Sequence, residues 1–159
     1  MRKLFLPLLL ASALHADVFT DLRANNLSTL PAADSNTRDR NGVTPLLYAS
    51  ALGSIEAMKA LLDKGADPNA TDNAGSTPLL WAACLPDRVE LLLARGADAK
   101  TKNKNGRTPL MAAAACPAAL KSVQLLLAKG ADPNAVDADG QSPLMEAAFT
   151  GSPAVAHAL

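Results

Sequence analysis

Aromatic residues are scarce in this chain: three Phe, one Tyr and one Trp in 159 residues. Deep globular cores draw much of their buried area from aromatic rings. The composition therefore argues against one thick core and for thin layers of small aliphatic side chains. An excess of one charge is also missing, with 15 basic against 15 acidic residues, which argues against a nucleic-acid binder. Two His and two Cys are too few for a His-ligated metal cluster or a zinc site of the usual kind. There is no C-x-x-C-H for haem, no nucleophile elbow, no phosphate loop and no H-E-x-x-H. The sequence thus offers no catalytic residue, no metal ligand set and no cofactor site. No apolar run reaches the ~18 residues that a membrane span requires.

What the chain has in quantity is alanine, followed by leucine. Part of this lies at the N-terminus. Met1-Arg2-Lys3 is positive, Leu4 to Leu10 is apolar around Pro7, and Ala11-Ser12-Ala13 is a small-x-small cleavage signal. Together these predict a secretory signal peptide over residues 1–13, with an alternative cut after Ala16. The competing reading is a buried N-terminal helix. No Cys follows the apolar run, so lipid anchoring is not supported. Loss of Arg2 and Lys3 leaves the mature chain slightly acidic, and it is expected to insert into no membrane.

The remainder repeats itself. Thr-Pro-Leu occurs at Thr44, Thr77 and Thr108, and Ser142-Pro143-Leu144 varies it. The steps between these starts are nearly equal, and the period is about 33 residues, within the range of repeat architectures. Gly-Ala-Asp occurs at Gly65, Gly96 and Gly130. A pair ending in Gly (Asn41-Gly42, Ala74-Gly75, Asn105-Gly106, Asp139-Gly140) precedes each Thr/Ser-Pro-Leu. Two motifs in fixed order at one period announce stacked repeats. Thr or Ser is a good helix N-cap, and Pro suits the first helical position. A second helix carries Leu61/Leu62, Leu92/Leu93 and Leu126/Leu127, one turn after Met58, Val89 and Val123. Gly65, Gly96 and Gly130 stand where a helix ends in the left-handed conformation. The polar stretch that follows, with Asn or Asp before Gly, favours a tight turn.

These motifs resemble the ankyrin-repeat family over roughly Val18 to Leu159. The resemblance implies an all-α solenoid of stacked helix-turn-helix units with β-turn fingers. The implied organisation is a degenerate N-terminal cap repeat over 17–40, repeats over 41–72, 73–104 and 105–138, and an incomplete repeat over 139–159. Three departures matter. The family's usual His after Thr-Pro-Leu is replaced by Leu47, Leu80, Met111 and Met145, so apolar contact must replace the polar network that His makes. The stretches from Thr44 to Gly65, Thr77 to Gly96 and Thr108 to Gly130 differ in length. Relative to the first, the second is short by two and the third long by one between helices. Finally, Leu159 aligns with Leu61, and the tail from Ala154 is not the polar outer face that terminal repeats need. The expectation is a fragment of a longer protein, or an end that packs on a partner.

Cys84 and Cys116 fall in the two loops of abnormal length. Equivalent positions of stacked helices lie about 10 Å apart, whereas a disulfide needs Cα atoms roughly 4.4–6.8 Å apart. The altered loops would have to close that gap; the alternative is two buried free thiols. An exported chain with an even Cys count permits the bridge.

In this family the fingers and the exposed side of the first helices form a concave binding face. The groove-facing position there is held by Tyr48, Trp81, Ala112 and Glu146. Tyr48 and Trp81, the chain's single Tyr and single Trp, are candidate anchors, since such residues are enriched at binding hot spots; packing between repeats is the competing role. The third finger is basic, with Lys100, Lys102, Lys104 and Arg107. Lys102, Lys104 and Arg107 are candidate contacts for an acidic patch on a protein partner, against the plainer role of a solvated tip. The resulting expectation is a non-catalytic, exported interaction module acting in the periplasm or outside the cell. Two other readings remain: the scaffold portion of a longer secreted or periplasmic enzyme or redox protein, and self-association through the C-terminal face.

Overall fold

The computed structural model describes residues 35–159. The expected signal peptide and the expected cap repeat up to residue 34 lie outside the described residues. Within them the chain forms eight helices: α1 (Pro45–Leu52), α2 (Ile55–Asp63), α3 (Pro78–Trp81), α4 (Pro86–Ala94), α5 (Pro109–Ala114), α6 (Leu120–Ala128), α7 (Pro143–Phe149) and α8 (Pro153–Ala158). No strand occurs among the described residues. First helices (α1, α3, α5, α7) alternate with second helices (α2, α4, α6, α8). Each helix packs on its equivalent in the next repeat as well as on its own partner. This is an all-α repeat solenoid.

Local chemistry explains where each first helix starts. Thr44, Thr77, Thr108 and Ser142 are extended N-caps whose hydroxyls accept from the N–H of Leu47, Leu80, Met111 and Met145. Proline occupies the next position in all four, where a missing N–H costs nothing. The second helices stop on a glycine. Gly65, Gly96 and Gly130 have φ of 84°, 87° and 81°. The following alanine N–H then reaches back to Leu61, Leu92 and Leu126 at 2.9–3.0 Å. That backward bond satisfies a helix-end carbonyl and directs the chain toward the next finger.

The core is a column of aliphatic layers. Leu46, Leu79 and Leu110 are fully buried between successive first helices, as are Ala49, Ala82, Ala113 and Ala147. Met58, Val89 and Val123 form the matching row on the second helices, beside Leu61, Leu92 and Leu126. Of each leucine pair, only the first member is fully enclosed in all three repeats. The positions that carry His in the family pattern are not uniform: Leu47 and Met111 are fully buried, Leu80 is half-buried and Met145 is exposed.

The two-residue shortening of the second repeat is absorbed by its first helix. α3 has four residues, against eight, six and seven in α1, α5 and α7. Residues 82–84 continue as a turn, and Pro86 starts α4 at once.

α1 ends differently from the second helices. Its C-cap Gly53 has φ −81°, so no left-handed turn serves the last carbonyls. Arg88 of α4 serves them instead. Its Nη1 donates to Ser50 O at 2.8 Å and its Nη2 to Gly53 O at 2.7 Å, with Ala49 O at 3.4 Å. Burial lowers the Arg88 pKa from its ordinary value, but an arginine stays charged, so these bonds are charge-assisted. The same register on α6 holds Ser122, whose buried hydroxyl has no hydrogen-bond partner among the described residues.

Two outcomes follow from these helix ends. Arg88→Ala is expected to lower the unfolding free energy by about 1–3 kcal/mol, because carbonyls at the end of α1 lose their donor inside the stack. Ser122→Ala is expected to be neutral or to stabilise by up to about 1 kcal/mol, because it removes an unpaired buried hydroxyl. Urea unfolding followed by circular dichroism checks both.

Candidate functional site

The fingers are tight turns built on one repeated residue. Asp39, Asp72, Asn103 and Asp137 each accept, through Oδ1, from backbone N–H groups two and four residues ahead at 2.8–3.0 Å. Each turn then needs a positive φ, supplied by Gly42, Gly75, Gly106 and Gly140 at 74–79°. Neighbouring fingers are joined by single backbone bonds: Asn73 N to Asn41 O, Lys104 N to Ala74 O, and Ala138 N to Asn105 O, all 2.8–2.9 Å. The row of fingers is therefore hydrogen-bonded from one end to the other.

A second ladder runs below it. Asn36 Nδ2 donates to Gly65 O while its Oδ1 accepts from Asp67 N. Asn69 repeats this pair on Gly96 and Asp98. Lys100 occupies the next rung and cannot accept. Its stem lies beside Gly130, where an added Cβ would meet it at 3.1 Å. The amide ladder thus stops between the second and third repeats.

The candidate anchors are not equivalent. Tyr48 is half-buried and packs on the core. Trp81 is 36% exposed, and its Nε1 donates to Asp72 Oδ2 at 3.2 Å. The acid that closes the second finger thereby also orients the indole. Leu52 and Leu85, each eight residues after the Thr of its repeat, are also exposed. Tyr48 and Leu52 are one helical turn apart on α1, whereas Leu85 is the N-cap of α4. At the same groove position further along, Ala112 and Glu146 are half-buried.

The basic finger divides. Arg107 Nη1 bonds Glu146 Oε1 at 2.6 Å, so its charge is spent between finger and α7. Lys102 and Lys104 are exposed, and nothing among the described residues pairs with their ammonium groups. Free positive charge on the third finger therefore comes from these two and from Lys100. Sequence reasoning missed the partners of Trp81, Arg107 and the α1 carbonyls, because each links positions 9, 39 and 35–39 residues apart.

Cys84 and Cys116 are joined by a disulfide, with Cα atoms 5.6 Å apart. The turn left by the shortened α3 carries Cys84 toward the next repeat. Cys116 follows α5 and rests its sulfur 3.3 Å from Ala112 O. The bridge ties the ends of two neighbouring first helices, beside Leu85. Elsewhere the second and third repeats share exposed ion pairs, chiefly Lys121 to Glu90 at 2.8 Å. The hydrogen bond that Lys121 donates to Glu90, and then the charge of Glu90, raise the Lys121 pKa. No group of His, Cys, Asp and Glu among the described residues could hold a metal ion. No helix there is long and apolar enough to cross a membrane.

Stacked helix pairs, capped by Thr/Ser-Pro, ended by left-handed glycines and linked by hydrogen-bonded fingers, define a class of repeat protein that presents surface rather than encloses a reaction centre. The family described as "Ankyrin repeats (3 copies)" matches residues 8–103 and 84–159. The chain belongs to the ankyrin-repeat family, whose domains are generally protein–protein interaction modules. Comparison with curated proteins finds no match.

The disulfide generates a measurable expectation. A cross-link spanning 32 residues contributes about 3–4 kcal/mol in the chain-entropy account. Reduction, or paired Cys84→Ser and Cys116→Ser replacement, is expected to lower the unfolding free energy by an amount of that order. A denaturant midpoint unmoved by reductant would contradict it.

Proposed function

We propose that this chain is an exported ankyrin module that binds a protein partner through its concave face, with Trp81 and Tyr48 as anchors. The observation that carries this reading is Trp81. It is the chain's single tryptophan, it is held by Asp72 rather than packed away, and its side chain is exposed. An indole already fixed in place loses little entropy on binding. Lys102 and Lys104 supply free positive charge on the neighbouring finger, which suits acidic side chains on the partner and speeds encounter. Arg107 acts by holding the finger on α7.

Export is supported by the N-terminal pattern of Met1 to Ala13 and by the Cys84–Cys116 bridge. Disulfides persist in oxidising compartments. The site of action in this reading is the periplasm or the cell exterior, and the module itself performs no chemistry.

The test is affinity capture by the tagged chain from the periplasmic fraction of its own cells, with quantitative mass spectrometry. Loss of a hot-spot aromatic costs at least about 2 kcal/mol. Tyr48→Ala with Trp81→Ala is therefore expected to reduce recovery of the specific partner more than tenfold, with the helical spectrum intact. Lys102→Glu with Lys104→Glu is expected to weaken capture mainly at low salt. Equal recovery by the folded aromatic variant would sink the groove reading. The intact mass of the exported chain tests the leader, with cleavage expected after residue 13 or 16.

A further inference from the structure

Neighbouring repeats are tied at the ends of their first helices, and the ties differ in chemistry. Between the first and second repeats, Arg88 donates to the last carbonyls of α1. Between the third and fourth, Ser152 Oγ donates to Pro117 O at 3.3 Å, and Thr150 Oγ1 lies 3.4 Å from Ala114 O. Between the second and third, no side-chain nitrogen or oxygen among the described residues fills this role. The Cys84–Cys116 bridge fills it instead. The same junction lacks its amide rung. Asn36 and Asn69 lock the two preceding junctions through Gly65 O and Gly96 O, but Lys100 holds the next rung. Besides apolar packing, the polar contacts left there are the finger bond from Lys104 N to Ala74 O and the exposed ion pairs of Lys121. Exposed pairs contribute little.

We propose that this junction is a hinge and the bridge a reversible redox latch on it, opened by a dithiol reductant that attacks Cys84. Access selects the sulfur: Cys84 is exposed, whereas Cys116 is half-buried. Exposed disulfides are the labile, regulatory ones. One thiolate of the reductant bonds to Cys84 Sγ, the S–S bond breaks, and its electron pair leaves on Cys116 Sγ, which takes up a proton. The released thiol has an acceptor in place, since Ala112 O lies 3.3 Å from Cys116 Sγ. The second thiolate of the reductant then attacks the first and displaces Cys84. Two electrons and two protons have passed to the chain, and the reductant leaves as its own disulfide. The reverse exchange with an oxidised dithiol closes the latch.

The consequence for binding rests on the groove reading above; the hinge itself does not. Tyr48 and Trp81 precede the junction, while Lys102 and Lys104 lie on the finger that leads into α5. Cys84 is three residues from Trp81, in the turn that ends the four-residue α3. Opening the latch frees that turn and lets the aromatic anchors move relative to the basic finger. The oxidised chain is then the binding-competent form.

Hydrogen exchange of the whole chain, oxidised and after dithiothreitol, tests the hinge with the three finger bonds as internal controls. Lys104 N–H is expected to exchange about tenfold or more faster on reduction, with Asn73 N–H and Ala138 N–H unchanged and the helical spectrum retained. Equal acceleration at all three, loss of the helical spectrum, or no change at Lys104 overturns the hinge. Brief treatment with glutathione, acid quenching and peptide mapping are expected to place the mixed disulfide on Cys84; an adduct on Cys116 alone overturns the attack. Cys84→Ser with Cys116→Ser, the permanently open form, is expected to recover about tenfold less of the aromatic-dependent partner than the oxidised chain. Equal recovery by the two forms overturns control of binding. If neither form recovers such a partner, the groove reading falls, and the exchange pattern alone upholds or overturns the latch.

Discussion

Everything in this molecule depends on the stacking of one thin layer on the next. A single helix pair of this composition has too little apolar area to stand alone; burial appears only when the next pair covers Leu46, Leu79 or Leu110. Because the layers are thin, they must be built from side chains that permit close helix approach. This is why the alanines at 49, 82, 113 and 147 are completely enclosed. The aromatic poverty of the chain is the same fact seen from the other side. Rings have no place between such layers, so the single Trp is left to the surface.

Stacking identical layers leaves the ends of helices as the points where repeats can differ, and the individuality of this chain lies there. The second repeat has lost two residues, its first helix has shrunk to one turn, and a disulfide ties that turn to the next repeat. The first repeat lacks a left-handed stop on α1, and a guanidinium from the second repeat fills the gap. The lower ladder ends where Lys100 stands in place of an amide. In each of the first two cases a departure in local sequence is met by a contact from a neighbouring repeat.

Most of the fold was legible because its signals are local. Thr44-Pro45, Thr77-Pro78, Thr108-Pro109 and Ser142-Pro143 start helices through bonds three residues long, and Gly65, Gly96 and Gly130 end them through backbone geometry that other residues adopt with strain. The binding face was legible only in outline. Tyr48 and Trp81 share a register position, yet one ring packs on the core and the other stands out against Asp72. Lys102 and Arg107 belong to one basic run, yet only Arg107 reaches a carboxylate. Nothing in the spacing of these residues distinguishes them, because their surroundings come from other repeats.

The sequence by itself determined the period, the caps, the turns and the aliphatic rows, since each rests on interactions among residues close along the chain. Tertiary structure decided which equivalent positions remain equivalent. It buried Leu46 and exposed Leu144, paired Arg107 and left Lys102 free, and brought Cys84 within 5.6 Å of Cys116 at Cα. The physical reason is that a repeat specifies its own shape locally, whereas the environment of each side chain is supplied by the repeats stacked on either side of it.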